Sequence, residues 1–193
     1  NTIIDGEGIN RGFVSNGTQL EYSDSECTEC GSKIIGFTIR NCVNTDDGGG
    51  ITFIADNAND APNITIQDCV FENNSTEKRG GGIFVDGSPA IIQRCEFLMN
   101  SAVNGGGICL PDSGEAIIAG CSFEGNSANY YQVGDSPNGG AIDLRGIGGA
   151  VCENNTFTDN HVIGSDIGGA ASGGAIHSSV ENPNQFINCM FTQ

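Results

Sequence analysis

The sequence predicts an all-β fold, a single-stranded right-handed parallel β-helix (solenoid) of about six coils running through residues 1–193 as one domain. Three observations predict it. A short motif built around Phe and Asn recurs along the chain, a Gly-rich motif alternates with it, and apolar residues never keep helical spacing for more than a turn. Thirty glycines and a surplus of Asn, Asp, Ser and Thr argue against helices in the same direction.

The first motif reads Asp68-Cys69-Val70-Phe71-Glu72-Asn73-Asn74, then Arg94-Cys95-Glu96-Phe97-Leu98-Met99-Asn100, then Gly120-Cys121-Ser122-Phe123-Glu124-Gly125-Asn126. Two weaker copies follow, Asn155-Thr156-Phe157-Thr158-Asp159-Asn160 and Cys189-Met190-Phe191. The second motif is Gly48-Gly49-Gly50-Ile51, Gly80-Gly81-Gly82-Ile83, Gly105-Gly106-Gly107-Ile108, Gly139-Gly140-Ala141-Ile142 and Gly173-Gly174-Ala175-Ile176. Counting from Cys42, the steps between Cys positions or their equivalents are 27, 26, 26, 34 and 34 residues. Steps that vary while the motifs hold describe a coil with fixed strands and variable loops.

Each coil reads as a strand ending at the Cys and Phe positions, a turn at the Asn, a loop, and a second strand opened by the glycines. Such strands bury their apolar side only by stacking on neighbouring coils about 4.8 Å away, so six coils make a rod roughly 30 Å long. Stacking implies columns. Phe71, Phe97, Phe123, Phe157 and Phe191 form an inward aromatic stack, with Ile66, Ile92, Ile118, Cys152 and Phe186 as a second inward column. Asn74, Asn100, Asn126 and Asn160 form a ladder at the turn, where Asn tolerates left-handed backbone angles and stacked amides hydrogen-bond along the rod. Cys42, Cys69, Cys95 and Cys121 share one position and form a thiol column, either reduced and packed into the core or oxidised in adjacent pairs. Residues 1–32, irregular and acidic, form an N-terminal coil or cap.

Phe-x-x-Asn alternating with Gly-Gly-Ala-Ile resembles the repeats of the polymorphic outer membrane proteins, the autotransporter adhesins of chlamydiae, over residues 33–193. The opening Thr2-Ile3-Ile4-Asp5-Gly6 and the later Gly36-Phe37-Thr38-Ile39 look like the first coils of pectate-lyase-like β-helices. The resemblance implies a secreted or surface-exposed passenger. The expected membrane barrel of an autotransporter is not in this segment, so the chain reads as part of a longer protein.

Composition narrows the partners. Seven Lys and Arg against 24 Asp and Glu leave a net charge of −17, which repels nucleic acid and anionic membranes. No apolar run approaches the roughly 20 residues that span a bilayer, so no membrane insertion by this segment is expected. The nine cysteines contain one isolated C-x-x-C, Cys27 to Cys30, which reads as a local disulfide or a pairing elsewhere and not as a zinc site. Sequons at Asn16, Asn63, Asn73, Asn74 and Asn154 would accept glycans in a eukaryotic secretory setting.

Chemistry is harder to assemble. A polysaccharide-cleaving β-helix needs acids and a base converging on one outward face, whereas Arg11, Arg40, Arg79, Arg94 and Arg145 are scattered along the chain. Asp46-Asp47 is the one adjacent acid pair, read as a solvated turn with calcium binding as the alternative. His177 takes the position held by Thr52, Phe84, Cys109 and Asp143 in other coils, pointing outward beside Asp143, and reads as a surface contact in preference to an acid/base pair. Tyr130 and Tyr131, on the first of two long loops, Ser127 to Asn138 and His161 to Ser172, are a candidate recognition feature for sugar or protein. The expected function is therefore an extracellular structural or adhesive element without catalysis or cofactor. Its partner would be a protein or glycan, with end-to-end self-assembly or further coils at the bare end. The alternative is a carbohydrate-active lyase or hydrolase.

Overall fold

The computed structural model describes residues 2–8, 12–16, 32–55, 63–112, 115–132, 135–146, 149–164, 171–180 and 183–193. All regular structure among them is β-strand, and every pairing between named strands is parallel and joins successive coils in register. Four sheets wrap the core. Sheet A has seven strands and carries the Phe positions; sheet B has six and follows the glycines; sheet C has six and carries the Ile66 column; sheet D has five and follows the Asn positions. The early segment contributes Thr2–Asp5 to sheet A and Phe13–Asn16 to sheet B, each hydrogen-bonded to the coil after it.

Each coil thus has four strands where the sequence reading had two. Left-handed residues make the extra corners. Asp68 (φ 54°), Arg94 (φ 51°) and Asn154 (φ 54°) separate sheet C from sheet A, and Asn73 (φ 52°), Met99 (φ 52°) and Asp159 (φ 52°) separate sheet A from sheet D. A residue near φ +55° turns the chain sharply, so a strand that looks continuous in sequence is bent into two. The left-handed residue is accordingly the one before the ladder Asn. Asn74, Asn100 and Asn126 themselves point inward and are fully buried.

Burial makes their amides obligatory hydrogen-bonding groups. Asn100 Nδ2 donates to Phe71 O (2.9 Å) and Asn126 Oδ1 (3.0 Å), while Asn100 Oδ1 accepts from Asn74 N (3.0 Å) and Asn74 Nδ2 (3.1 Å). The same pattern continues from Asn126 to Asn160. Beside the ladder, the rings of Phe71, Phe97, Phe123, Phe157 and Phe191 stack nearly parallel at 4.7–5.0 Å. Phe191, on the last coil described, is 54% exposed.

The thiol column is shorter than the sequence suggests. Ser75 N donates to Cys42 O just as Ser101 N donates to Asn74 O, and Cys42 N donates to Asn74 Oδ1, so Cys42 heads the Asn ladder. Phe37 heads the Cys69–Cys95–Cys121 column, because Thr38 pairs with Val70. Asn155 interrupts that column after Cys121, donating to Ile118 O (2.8 Å), with Cys189 beyond it. Among the described residues Cys42, Cys69, Cys95, Cys109, Cys121, Cys152 and Cys189 carry free thiols, and those of the column, Cys69, Cys95 and Cys121, are packed in the core. Hydrogen bonding with Cys121 raises the Cys95 thiol to about 12, and burial raises that of Cys152 to about 12. Cys27 and Cys30 lie outside the described residues.

Candidate functional site

Sheet B decides where chemistry can sit. In the strand Ile142–Gly146, Ile142 and Leu144 enter the core, so Asp143 and Arg145 face outward. Register places Thr52, Phe84, Cys109, Asp143 and His177 in one outward column. The sequence reading put this column at the surface. Instead, Thr52, Phe84, Cys109 and Asp143 are buried, because the turn leading into each strand folds back over it. Thr52 Oγ1 donates to Asp47 O (2.7 Å), and the Arg79 guanidinium lies 4.6 Å from the Phe84 ring centre, a cation–π contact.

Asp143 is the centre of the one dense charged cluster in that column. Its side chain has no solvent exposure, yet three polar groups meet it: His177 Nδ1 at 2.6 Å from Oδ1, Arg145 Nη2 at 2.7 Å from Oδ2, and Cys109 Sγ at 3.7 Å from Oδ2. Burying a carboxylate costs several kcal/mol unless ion pairs and hydrogen bonds compensate it, and the Arg145 guanidinium and the His177 Nδ1 contact supply that compensation. They keep access to water, with side chains 33% exposed for Arg145 and 22% for His177. Burial and the Asp143 charge push the Cys109 thiol well up, and Asp143 stands between it and His177. Cys109, without solvent exposure and held in its thiol form, is not poised as a nucleophile.

The scattered basic residues turn out to be organised by the coil spacing. Arg40 pairs with Asp5 (2.9 Å), Lys78 with Asp46 (2.7 Å), and Arg79 and Arg94 grip Asp47 and Asp68 with two nitrogens each. Each of these pairs joins neighbouring coils. Asp46-Asp47 is a turn, as expected, but one clamped by cations from the next coil. Farther along sheet B, burial and then the charge of Asp112 raise the carboxyl of Asp86. Asp47, Arg79, Asp86, Asp143, Arg145 and His177 thus all belong to the outer side of one sheet or the turn that covers it. Among the described residues no three His, Cys, Asp or Glu side chains converge to hold a metal ion.

The remaining candidates are placed as follows. Tyr130 is half-buried, its N–H donating to Ile163 O (3.2 Å), and Tyr131 is exposed on a tight turn whose Tyr131 and Gln132 N–H groups donate to Asp135 Oδ2. The two long loops start side by side, with Ser127 paired to His161, and end side by side, with Asn138 bridged to Ser172. Asn63, Asn73 and Asn154 are exposed, whereas Asn74 is locked in the ladder and closed to a glycan in the folded chain. The side chain of Asn16 lies outside the described residues, as does Arg11. Sequence reasoning missed the Asp143 cluster as a unit because Arg145 belongs to it through strand alternation, which shows only once the register is known.

A family profile described as "Right handed beta helix region" matches residues 1–193. No curated protein and no solved structure matches the chain. With the parallel coil-on-coil register and a match over the whole sequence, the chain belongs to the right-handed β-helix family.

Proposed function

We propose that the chain is a rigid, non-catalytic structural or adhesive element on an extracellular surface, acting as a passenger, spacer or building block. The observation that carries this reading is where the polar side chains are spent. The ladder amides and the ion pairs of Arg40, Lys78, Arg79 and Arg94 all tie one coil to the next, which stiffens a rod and leaves these groups unavailable to a substrate. The Phe-x-x-Asn and Gly-Gly-Ala-Ile repeats, resembling those of chlamydial autotransporter adhesins, support the same reading. The test is turnover: the purified chain is incubated with polygalacturonate, alginate and neutral polysaccharides, with and without calcium, and new reducing ends are counted. No release is expected, and measured depolymerisation overturns the reading.

A second reading, a carbohydrate-active enzyme, is favoured by one specific observation. Asp86, Asp143, Arg145 and His177 share the outer side of sheet B, so acids and a base do lie on one face. The same assay decides between the two.

A further inference from the structure

We propose that the outer face of sheet C is a lateral contact between two copies of this chain, packed face to face with their rods antiparallel. The inference rests on the building-block reading and names the partner as a second copy.

Charge singles out this face. Strand alternation turns Thr65, Gln67, Ile91, Gln93, Ile117 and Ala119 outward on the central strands of sheet C, while the residues between them enter the core. None of the six is charged. Sheet A turns Arg40, Glu72, Glu96 and Glu124 outward, and the outer side of sheet B holds Asp143 and Arg145. Two copies of net charge −17 repel each other, so close contact is least opposed where charge is missing.

The same face is apolar and regular. Coil register sets Thr65, Ile91, Ile117 and Val151 in one outward column. Ile117 is 40% exposed, as are Ile35 (49%) on the first strand of the sheet and Ile187 (39%) on the last, and a shallow groove lined by Asn63, Pro89, Ile91, Glu115 and Ile117 lies beside the column. In-register columns of β-branched side chains interdigitate when two sheets pack about 10 Å apart.

The remaining charges fix the direction. Two outward side chains in the strands of sheet C are charged, Lys33 on its first strand and Glu153 on its fifth. Parallel rods would set each of them near its own counterpart. A two-fold axis across the rods, between the strands of Ile91 and Ile117, brings Lys33 of one copy within one coil of Glu153 of the other. The same axis sets Ile91 against Ile117, Thr65 against Val151 and Ile35 against Ile187, so one surface complements itself. Six strands of up to four residues cover roughly 24 Å by 13 Å, which is well under the roughly 800 Å² per partner of a stable complex. The contact is therefore weak between two rods in solution and gains from repetition where many rods lie side by side.

The experiment is sedimentation equilibrium of the full chain from about 10 µM to about 1 mM in 0.15 M NaCl, where long-range repulsion is largely screened. Wild type is compared with Ile117→Lys, Lys33→Glu, Glu153→Lys, the double exchange Lys33→Glu with Glu153→Lys, and Glu115→Gln. The average mass of wild type is expected to rise from monomer toward dimer over that range. Ile117→Lys, at an exposed position and with its melting temperature kept, should weaken pairing at least about tenfold by placing a charge in the contact. Each single exchange should weaken it about threefold, and the double exchange should restore it. Glu115 comes within one coil of its own counterpart in this arrangement, so Glu115→Gln should tighten pairing. Wild type that stays monomeric throughout, pairing unchanged in Ile117→Lys, or a double exchange no better than the single ones overturns the proposal. Turnover on polysaccharides is scored separately, so a monomer without turnover overturns the pairing and leaves the structural reading standing.

Discussion

Single residues in this rod are judged by what the neighbouring coil does with them. Asn100 uses both ends of its amide, donating to Phe71 O and Asn126 Oδ1 and accepting from two groups of Asn74. Asn100→Ala leaves the buried Asn74 N without its acceptor and takes one hydrogen bond each from Asn74 Nδ2, Phe71 O and Asn126 Oδ1, and we expect a loss of roughly 2 to 4 kcal/mol in urea denaturation, against about 1 kcal/mol for exposed Asn73→Ala, whose left-handed backbone favours Asn over Ala. Equal effects at the two positions would mean that the ladder contributes nothing special. Asp86 runs the other way. Burial and Asp112 raise its folded carboxyl above the ordinary value, so the folded state holds its proton more tightly than the unfolded chain. The group therefore favours folding least once pH has risen above the raised value, where it is ionised in both states. Asp86→Asn should raise the melting temperature at pH 7 by a small margin, below about 2 °C for a group only half-buried, and lose that advantage near pH 3. A gain that persists unchanged at pH 3 would point to packing instead.

Elements are set by which positions tolerate a side chain. A Cβ at Gly106 would fall 2.7 Å from Ser127 N and closer still to Gly140 O, both backbone, so neither can swing away. Next along the chain, a Cβ at Gly107 would fall 2.8 Å from Ala141 O and 3.2 Å from the Phe123 ring, a looser fit than at Gly106, and the following coil already carries Ala141 there, buried. Gly106→Ala should cost about 3 kcal/mol and Gly107→Ala clearly less, read from thermal or urea unfolding of the two variants. The same scale shows how much of the fold was legible. The Phe and Asn columns could be read directly because both repeat at every coil with inward side chains. Cys42 could not. Asn41-Cys42-Val43 looks like Asp68-Cys69-Val70, since both corners of a coil use a left-handed polar residue followed by a small buried one. Only the pairing of Val43 with Ser75 separates them. The Asp143 cluster was half legible. His177 beside Asp143 follows from the Gly-Gly-Ala-Ile alignment, but the layer that buries the column follows from the Asp47 and Arg79 turns, which no local pattern predicts.

At the scale of the whole molecule, two electrostatic effects oppose each other. Cross-coil ion pairs stabilise the rod, but those of Arg40, Lys78 and Arg94 are well exposed, and pairs of that kind contribute about 0 to 1 kcal/mol each. Against them stands the mutual repulsion of 24 acidic residues held on one narrow solenoid, a net charge of −17. Added salt screens both, shortening the reach of charge from about 8 Å at 0.15 M to about 3 Å at 1 M. Repulsion acts between many residues at long range and is screened first, whereas contacts of 2.7 to 2.9 Å, above all the shielded Asp143–Arg145 and Asp47–Arg79 pairs, lie within the screening length throughout. Raising NaCl from 0.05 to 1 M should therefore raise the melting temperature by several degrees, of the order that 1 to 2 kcal/mol gives in a chain of this size. A melting temperature that falls with salt would show that the ion pairs outweigh the repulsion. In that case Arg94→Gln, which removes one exposed cross-coil pair, should lower the melting temperature at low salt and leave it unchanged at 1 M.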